Sequence, residues 1–152
     1  MFEARLVNQA EVRRGLERFL AEVERALEEA SHVAGKHSVE HVKRYPKFRP
    51  RTGHLQSRQR YQVRRLASGR LLRLTNDAAY AAPVEYGARP HVIRARRVHF
   101  LRFVWHGELR FFRKVNHPGN RPYKFGYRAW RSAYRVEGDY LARRLAELAI
   151  RF

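Results

Sequence analysis

The segment from His37 to His41 reads His-x-x-Glu-His, which is the order and spacing of an inverted zinc-protease motif. Two histidines four residues apart share one face of a helix, and Glu40 beside them could act as a general base. A catalytic zinc site needs a third protein ligand, and few carboxylates follow in the sequence. A pattern this short also arises by chance in a chain with eight histidines. We therefore expect no metal site here.

Other catalytic patterns are missing from the sequence, including the nucleophile elbow, the P-loop and the dinucleotide-binding glycine motif. Asp77, Glu85 and Glu108 are the only acidic residues within residues 43–135, which leaves little for a two-carboxylate or two-metal mechanism. His117 stands in a His-Pro-Gly turn, where a loop hydrogen bond is the expected role. We expect that the protein is not an enzyme and uses no cofactor.

Positive charge dominates the composition, with a formal net charge of +19. Most of it lies in residues 43–135, and 28 of the 33 basic residues are arginine. Such a surface attracts nucleic acid, an anionic surface or an acidic protein. The arginine content suits forked and stacked interface contacts, and it equally fits a GC-rich genome. No apolar run approaches the length of a membrane-spanning helix, so no membrane association is expected.

Two helices are predicted at the ends of the chain. Apolar residues recur at helical spacing from about Gln9 to about His41 and again from about Lys124 to Ile150. Charged residues opposite the first stripe, including Glu24 and Glu28, are expected to form a solvated face. Between the helices, short extended runs separated by turn residues predict antiparallel strands.

This order of elements predicts an α+β fold. Its parts are a long N-terminal helix, a curved antiparallel sheet or half-barrel of four to five strands, and a C-terminal helix. The predicted strands run over about 59–67, 70–75, 91–95, 98–105 and 109–115. A single domain over residues 1–152 is expected, divided into an N-terminal helix (1–42), a basic connector (43–58), the sheet (59–122) and the C-terminal helix (123–152).

The stretch from Asn76 to Pro90 is the centre of this arrangement. Its small alanines allow close backbone approach, and Pro83 suits the first turn of a helix. Gly87 is placed to reverse the chain with a positive φ. We predict a strand end, one short helical turn and an exit through Gly87 into the next strand.

A basic, aromatic-rich surface is a second possibility for function. Arginines alternate with phenylalanines such as Phe100, Phe103 and Phe111, which could stack on nucleic-acid bases. We favour the simpler interpretation, in which these aromatics form the core of the sheet and the arginines its outer face. The candidate interface or DNA-facing residues are Lys43, Arg44, Lys47, Arg49, Arg51, Arg94, Arg96, Arg97, Arg110, Arg113 and Lys114.

Three ordered motifs give a more specific indication. The first is Thr-Gly-x-Leu-x-Ser at 52–57, the second runs from Asn76 through Tyr-Ala-x-x-Val-Glu-Tyr-Gly at 80–87, and the third joins His-Pro-Gly at 117–119 to a proline and a phenylalanine. In this order the chain resembles the tail-completion, or head–tail joining, proteins of long-tailed double-stranded DNA phages. The residues that carry the resemblance are Thr52, Gly53, Leu55, Ser57, Asn76, Tyr80, Val84, Glu85, Tyr86, Gly87, Pro90, His117, Pro118, Gly119, Pro122 and Phe125.

The resemblance implies a structural virion protein of the phage neck, made in the host cytoplasm and active by assembly instead of catalysis. It implies a homo-oligomeric ring, neighbouring neck and tail proteins (connector, tail terminator or tail tube) and transient contact with genomic double-stranded DNA. The alternative is a basic nucleic-acid-binding protein that uses the arginine-rich sheet face. We further expect the arm 43–51 to become ordered only on assembly.

Overall fold

The computed structural model of the protein describes residues 8–46, 48, 52–96 and 98–151, with Trp105 described by its backbone alone. Its elements follow one another along the chain as α1 (Gln9–Arg44), α2 (His54–Ser57), β1 (Gln59–Leu66), β2 (Gly69–Asn76), α3 (Ala81–Tyr86), β3 (His91–Arg94), β4 (Leu101–Trp105), β5 (Glu108–Phe112), β6 (Lys114–His117) and α4 (Phe125–Arg151). The predicted α+β class with a long helix at each end is confirmed. Lys43 and Arg44, assigned to the connector, lie in the last turn of α1.

The predicted sheet of four to five strands is wrong. The described strands form three separate antiparallel ribbons of two strands each: β1 with β2, β3 with β6, and β4 with β5. The run predicted as one strand over 109–115 is interrupted at Arg113, and its two halves pair with different strands. The alternation of apolar and polar residues indicates which face of a strand a residue occupies, but not which strand lies beside it. The interruption at Arg113 could therefore not be predicted from this alternation.

The chain divides into two compact units. One combines the described residues of Met1–Ala78 and Gly126–Phe152, and the other is Ala79–Phe125. The first unit therefore holds both long helices and the β1–β2 ribbon, and the second holds α3 and the other two ribbons.

In the first unit, α1 and α4 run antiparallel, and each carries a row of buried alanines. Ala26, Ala30 and Ala34 on α1 and Ala129 and Ala133 on α4 are all at most 1% exposed. Few large residues join them in the core, and Val42, Leu55 and Leu148 are the largest apolar side chains that are fully buried.

Hydrogen bonds between the two helices fix their direction. Ser31 donates to Glu137 at 2.8 Å, and the Tyr140 hydroxyl donates to Glu29 at 3.0 Å. His37 lies 2.8 Å from the Ser132 hydroxyl at the other end of the contact. As the residue number on α1 rises, the residue number of its partner on α4 falls, which shows that the two helices are antiparallel.

The β1–β2 ribbon packs on the same helix α1. Its hairpin matches the predicted one, with Tyr61 and Val63 half-buried on one face of β1. The Tyr61 ring lies so close to Gly35 that a Cβ added there would stand 2.2 Å from a ring carbon. Gly35 lies inside the continuous helix α1 and provides the space into which the hairpin packs.

The charged side of α1 is not simply the solvated face expected from the sequence. Arg70 of β2 donates to Glu24 at 3.0 Å and to Glu28 at 2.9 Å, and its side chain is only 6% exposed. Arg65 of β1 approaches Glu24 as well, at 2.8 Å. The hydrogen bonds that Arg70 donates to Glu24 and Glu28 raise its pKa above the ordinary value. These acids hold the hairpin against the helix, a role that helical spacing does not reveal.

The apolar stripe of α1 is buried only from Ala26 onward. Val12, Leu16 and Leu20 belong to the same stripe, and each is more than half exposed. The first three turns of the helix therefore present an uncovered apolar strip, which we call the α1 strip.

The predicted path of the central stretch is confirmed. β2 ends at Asn76, α3 forms the short helical turn, Gly87 has a φ of 84°, and β3 begins at His91. The β3–β6 and β4–β5 ribbons follow, joined to no other described strand.

Candidate functional site

Asn76 links two of the motif segments in the first unit. Its side-chain amide donates to the carbonyl of Leu55 at 2.8 Å and to Oε1 of Gln59 at 3.1 Å. Its Oδ1 accepts from the amide of Ala78 at 3.1 Å. One side chain thus ties the short helix α2, the start of β1 and the end of β2. Such a residue holds the fold in place, because all of its polar atoms are used within the chain.

The Thr-Gly-x-Leu-x-Ser motif builds α2 itself. The hydroxyl of Thr52 accepts from the amide of His54 at 3.4 Å, and Gly53 takes a φ of 69° at the start of the helix. Ser57 donates back to the carbonyl of His54 at 2.8 Å, and Leu55 is 1% exposed. The motif is a polar turn around one buried leucine.

The second and third motifs meet in the second unit. Ala88 and Asn120 form an isolated antiparallel bridge, with both amides bonded to the opposite carbonyl at 3.0 and 2.9 Å. A Cβ on Gly119 would stand 2.2 Å from the Ala88 oxygen, and one on Gly87 would stand 2.9 Å from the Asn120 oxygen. Both glycines also have positive φ, so only glycine fits without strain.

Further contacts fasten this junction. The amides of Tyr123 and Lys124 donate to the carbonyls of Val84 and Glu85 at 3.0 and 3.2 Å. The side chain of Asn120 donates to the carbonyl of Pro83 at 2.9 Å. The last turn of α3 is thereby bound to the segment that leads into α4.

His117 has the loop role that the sequence suggests. Its Nδ1 accepts from the amide of Gly119 at 3.0 Å, and its ring lies 5.0 Å from that of His91 across the β3–β6 ribbon. Phe125, at the start of α4, is buried at 5% exposure. Tyr86, in contrast, is 80% exposed, which leaves it available for contact outside the chain. Tyr80, Pro90, Pro118 and Pro122 are also exposed.

The described basic candidates are distributed over several elements. Arg94 pairs with Lys114 in the β3–β6 ribbon, whereas Arg110 is bonded to Glu108 in the β4–β5 ribbon. The Arg113 guanidinium lies 5.7 Å above the Phe100 ring and borders a shallow depression together with Arg96. Lys47, Arg49, Arg51 and Arg97 lie outside the described residues, and with them part of the arm 43–51.

The aromatics of the second unit are less buried than the expected sheet core. Phe103 and Phe112 are half-buried and stack with their centroids 5.1 Å apart. Phe100 and Phe111 are exposed, at 45% and 58%. A two-stranded ribbon by itself has no second layer of structure packed against its faces, so it cannot bury these rings.

A cleft on the first unit was not predicted from the sequence. It lies where the last turns of α1 face the first turns of α4, has a volume of about 570 Å³, and is lined by His41, Tyr45, Arg128, Arg131, Ser132 and Arg135. We call it the α1–α4 cleft. Burial, His37 and Arg128 together hold the pKa of His41 below its ordinary value. The surroundings of His41 therefore disfavour its protonated, positively charged form.

Beside the cleft runs a row of exposed aromatic side chains on α4. Tyr127, Trp130 and Tyr134 are 51%, 51% and 67% exposed, with successive ring centroids 6.0 Å apart. We call them the α4 aromatic row. The signal is present in the sequence as Tyr-Arg, Trp-Arg and Tyr-Arg pairs at 127–128, 130–131 and 134–135. The apolar periodicity of this helix identifies its buried face, whereas these rings lie on the exposed face, so periodicity does not predict the row.

The zinc-like motif has a different use in the structure. His37 interacts with Ser132, and the rings of His37 and His41 lie 6.2 Å apart. Among the described residues, no group of three or more histidine, cysteine, aspartate or glutamate side chains could hold a metal ion. Nor is any described helix long and apolar enough to cross a membrane.

Comparison of the chain with protein-family models, with curated proteins and with solved structures returned no match.

Proposed function

We propose that the protein is a structural component of a phage neck, where it completes the tail or joins it to the head by assembling around the DNA channel. The observation that carries the proposal is the apolar surface that the subunit leaves uncovered, most clearly the α1 strip of Val12, Leu16 and Leu20. Contiguous exposed apolar surface of this kind marks a contact with another protein. The motif residues support the assignment to this class through the resemblance described above.

The open ribbons point the same way. In the described part of the chain, β4 pairs only with β5, and Val104, Leu109 and Phe111 on this ribbon are all more than half exposed. An isolated two-stranded hairpin is marginally stable in water, and its free edges invite pairing with another chain. A subunit built in this way gains stability when neighbours cover it.

A second copy of the chain is the partner that best fits the α1 strip. Charges of both signs flank the strip, and Arg13 and Glu17 beside it form an ion pair at 3.0 Å. For a strongly acidic or basic partner, we would expect the residues beside the strip to carry charges of one sign. An identical subunit carries charges of both signs, which complement the mixed charges beside the strip. Head-to-tail contacts, in which the α1 strip meets a different surface of the next copy, close into a ring when the rotation between copies is a whole fraction of a turn.

Light scattering on nuclease-treated protein tests the assembly. We expect an oligomer that persists from 0.1 to 1 M NaCl, since apolar contacts are not screened by salt. The variant Val12→Gln, Leu16→Gln, Leu20→Gln should be monomeric and remain folded, because these side chains contribute little to the core. A matched control, Leu66→Gln, Leu71→Gln, Ile150→Gln, changes three other exposed aliphatic residues and should keep the wild-type mass. A wild-type monomer at both salts would contradict self-assembly.

The neck role itself is tested in the phage that encodes the protein. Disrupting the gene should yield DNA-filled heads and separate tails in electron micrographs, because the joining step is missing. Restoring the gene in trans should recover joined particles, and the α1 strip variant should not. Complete particles without the protein would refute the neck assignment.

The alternative function, nucleic-acid binding by an arginine-rich sheet face, is less well supported. Its basic residues are divided between separate ribbons, and Arg110 is already paired with Glu108.

A further inference from the structure

The α1–α4 cleft is lined entirely by side chains that can donate hydrogen bonds. Three arginines, a histidine, a tyrosine and a serine surround it, and none of the lining residues is acidic. Guanidinium groups form strong paired hydrogen bonds to phosphate oxygens, and hydroxyl groups add weaker ones. The chemistry of the lining thus suits an anion with several oxygen atoms.

Two of the arginines have no carboxylate partner in the part of the chain that the structure describes. Among the described residues, no carboxylate lies within 4.0 Å of Arg131 or Arg135. The nearby acid on α1, Glu40, pairs with Arg44 at 3.2 Å. The first acid on α4, Glu137, accepts the hydrogen bond from Ser31. Glu40 and Glu137 are therefore engaged with other residues.

The α4 aromatic row follows the same helical rhythm as the arginines. Tyr127, Trp130 and Tyr134 each immediately precede an arginine of the cleft, so two parallel rows run along the first turns of α4. A row of exposed rings beside a row of cations is the arrangement by which proteins bind single strands. The arginines contact the backbone and the rings stack on unpaired bases. An acidic protein segment would use the arginines but would leave the rings without a matching partner.

We propose that this surface binds single-stranded nucleic acid, with the sugar-phosphate backbone in the α1–α4 cleft and unpaired bases on the α4 aromatic row. The inference does not depend on the neck role or on ring formation, because every residue it uses belongs to the first unit of one subunit. It also differs from the sheet-face alternative in all of its residues.

Fluorescence anisotropy with a labelled 20-nucleotide single strand tests the proposal on the full-length protein. The variant Arg131→Gln, Arg135→Gln should lose about tenfold or more in affinity at 0.1 M salt. The dependence of log K on log salt should become shallower by about 1.4, since each lost phosphate contact to a single strand accounts for about 0.7. The matched control Arg60→Gln, Arg64→Gln removes the same charge from exposed positions on β1 and should lose less than about threefold.

The aromatic half is tested by Trp130→Ala, measured on the single strand and on a duplex of the same sequence. The single strand should lose about tenfold through the missing stacking contact, whereas the duplex should lose little. Thermal melting of each variant checks that it remains folded, which is expected because the altered side chains are exposed.

Three results would overturn the proposal. Equal losses in the two arginine variants would mean that only the general positive field attracts the strand. A duplex that binds as tightly as the single strand, together with no effect of Trp130→Ala, would remove the role of the bases. In the third result, poly-glutamate of matched length binds as tightly as the single strand, and its affinity falls equally in the variant Arg131→Gln, Arg135→Gln. The cleft would then be a site for acidic protein.

Discussion

At the scale of single residues, the motif positions act mainly through the backbone. Asn76 serves two carbonyl acceptors and one amide donor, and Gly119 leaves the space that the Ala88 carbonyl occupies. The sequence identified both residues as members of motifs, but it could not name their partners. Leu55, Gln59 and Ala88 lie in other segments, and nothing in the spacing of a motif specifies which distant carbonyl it will meet.

Asn76→Asp tests the role of this side chain. The substitution replaces the amide donor by a carboxylate oxygen that faces the carbonyl of Leu55 and Oε1 of Gln59. We expect the free energy of unfolding at pH 7 to fall by about 2 kcal/mol, the usual cost of an unsatisfied polar contact. Urea denaturation measures it. Asn116→Asp, at an exposed position on β6, is the matched control and should change stability by less than about 0.5 kcal/mol.

The same variant has a definite pH dependence. Opposing oxygen atoms disfavour the charged form, so the introduced carboxyl should have a folded-state pKa above its unfolded value of about 3.9. Its destabilising effect is then fully present above the folded pKa and shrinks as the pH falls and the group is protonated, since the protonated form donates again. An effect that stays constant from pH 7 to pH 4 would show that the Leu55 hydrogen bond is not what Asn76 contributes.

At the scale of elements, the helices were more predictable than the sheet. A helix satisfies its backbone within one segment, so the apolar repeat in α1 and α4 is enough to indicate it. A strand is defined by its neighbour, and the neighbours of β5 and β6 differ although the two are separated only by Arg113. The repeat also continues through Val12 and Leu16, which the subunit does not bury. Periodicity indicates which face is apolar but not what covers it.

Gly35 and Gly15 provide a matched pair within α1. Both are helical, but a Cβ on Gly35 would meet the Tyr61 ring at 2.2 Å, whereas one on Gly15 would meet nothing within 4 Å. We expect Gly35→Ala to destabilise the protein by about 1–3 kcal/mol through overpacking against β1. Gly15→Ala should instead stabilise it by about 0.5–1 kcal/mol, because alanine is the better helix former.

Chemical denaturation of both alanine variants, followed by circular dichroism, gives the comparison. A double variant with Tyr61→Leu should recover part of the loss at Gly35, since a smaller side chain frees the space. Stabilisation of similar size by both alanines would mean that α1 and the β1–β2 ribbon do not pack as described.

At the scale of the whole molecule, the composition predicts the net charge well but does not show where individual charges lie in the fold. The sequence alone gives the net charge of +19 and its concentration in the middle of the chain. It does not reveal that Arg70 is enclosed by Glu24 and Glu28, or that Arg131 and Arg135 line a cleft with no described carboxylate beside them. Both arrangements depend on residues more than forty positions apart, which only the folded chain brings together.

Salt should stabilise the folded subunit. Two effects oppose each other, because salt screens both the ion pairs and the repulsion among the excess positive charges. The ion pairs are mostly exposed, as in Arg13–Glu17 with side chains 82% and 62% exposed, and such pairs contribute little. The repulsion therefore outweighs the ion pairs, and the melting temperature should rise as the Debye length falls from about 10 Å at 0.1 M to about 3 Å at 1 M NaCl.

The measurement needs a background in which assembly does not contribute to the melting temperature. The α1 strip variant, Val12→Gln, Leu16→Gln, Leu20→Gln, provides one if it is monomeric as expected. Adding Arg60→Gln, Arg64→Gln and Arg73→Gln removes three exposed charges from one face of the β1–β2 ribbon. This change should raise the melting temperature at 0.1 M NaCl and reduce the further gain at 1 M. A melting temperature that falls with salt in the monomeric background would instead mean that the ion pairs of α1 outweigh the repulsion.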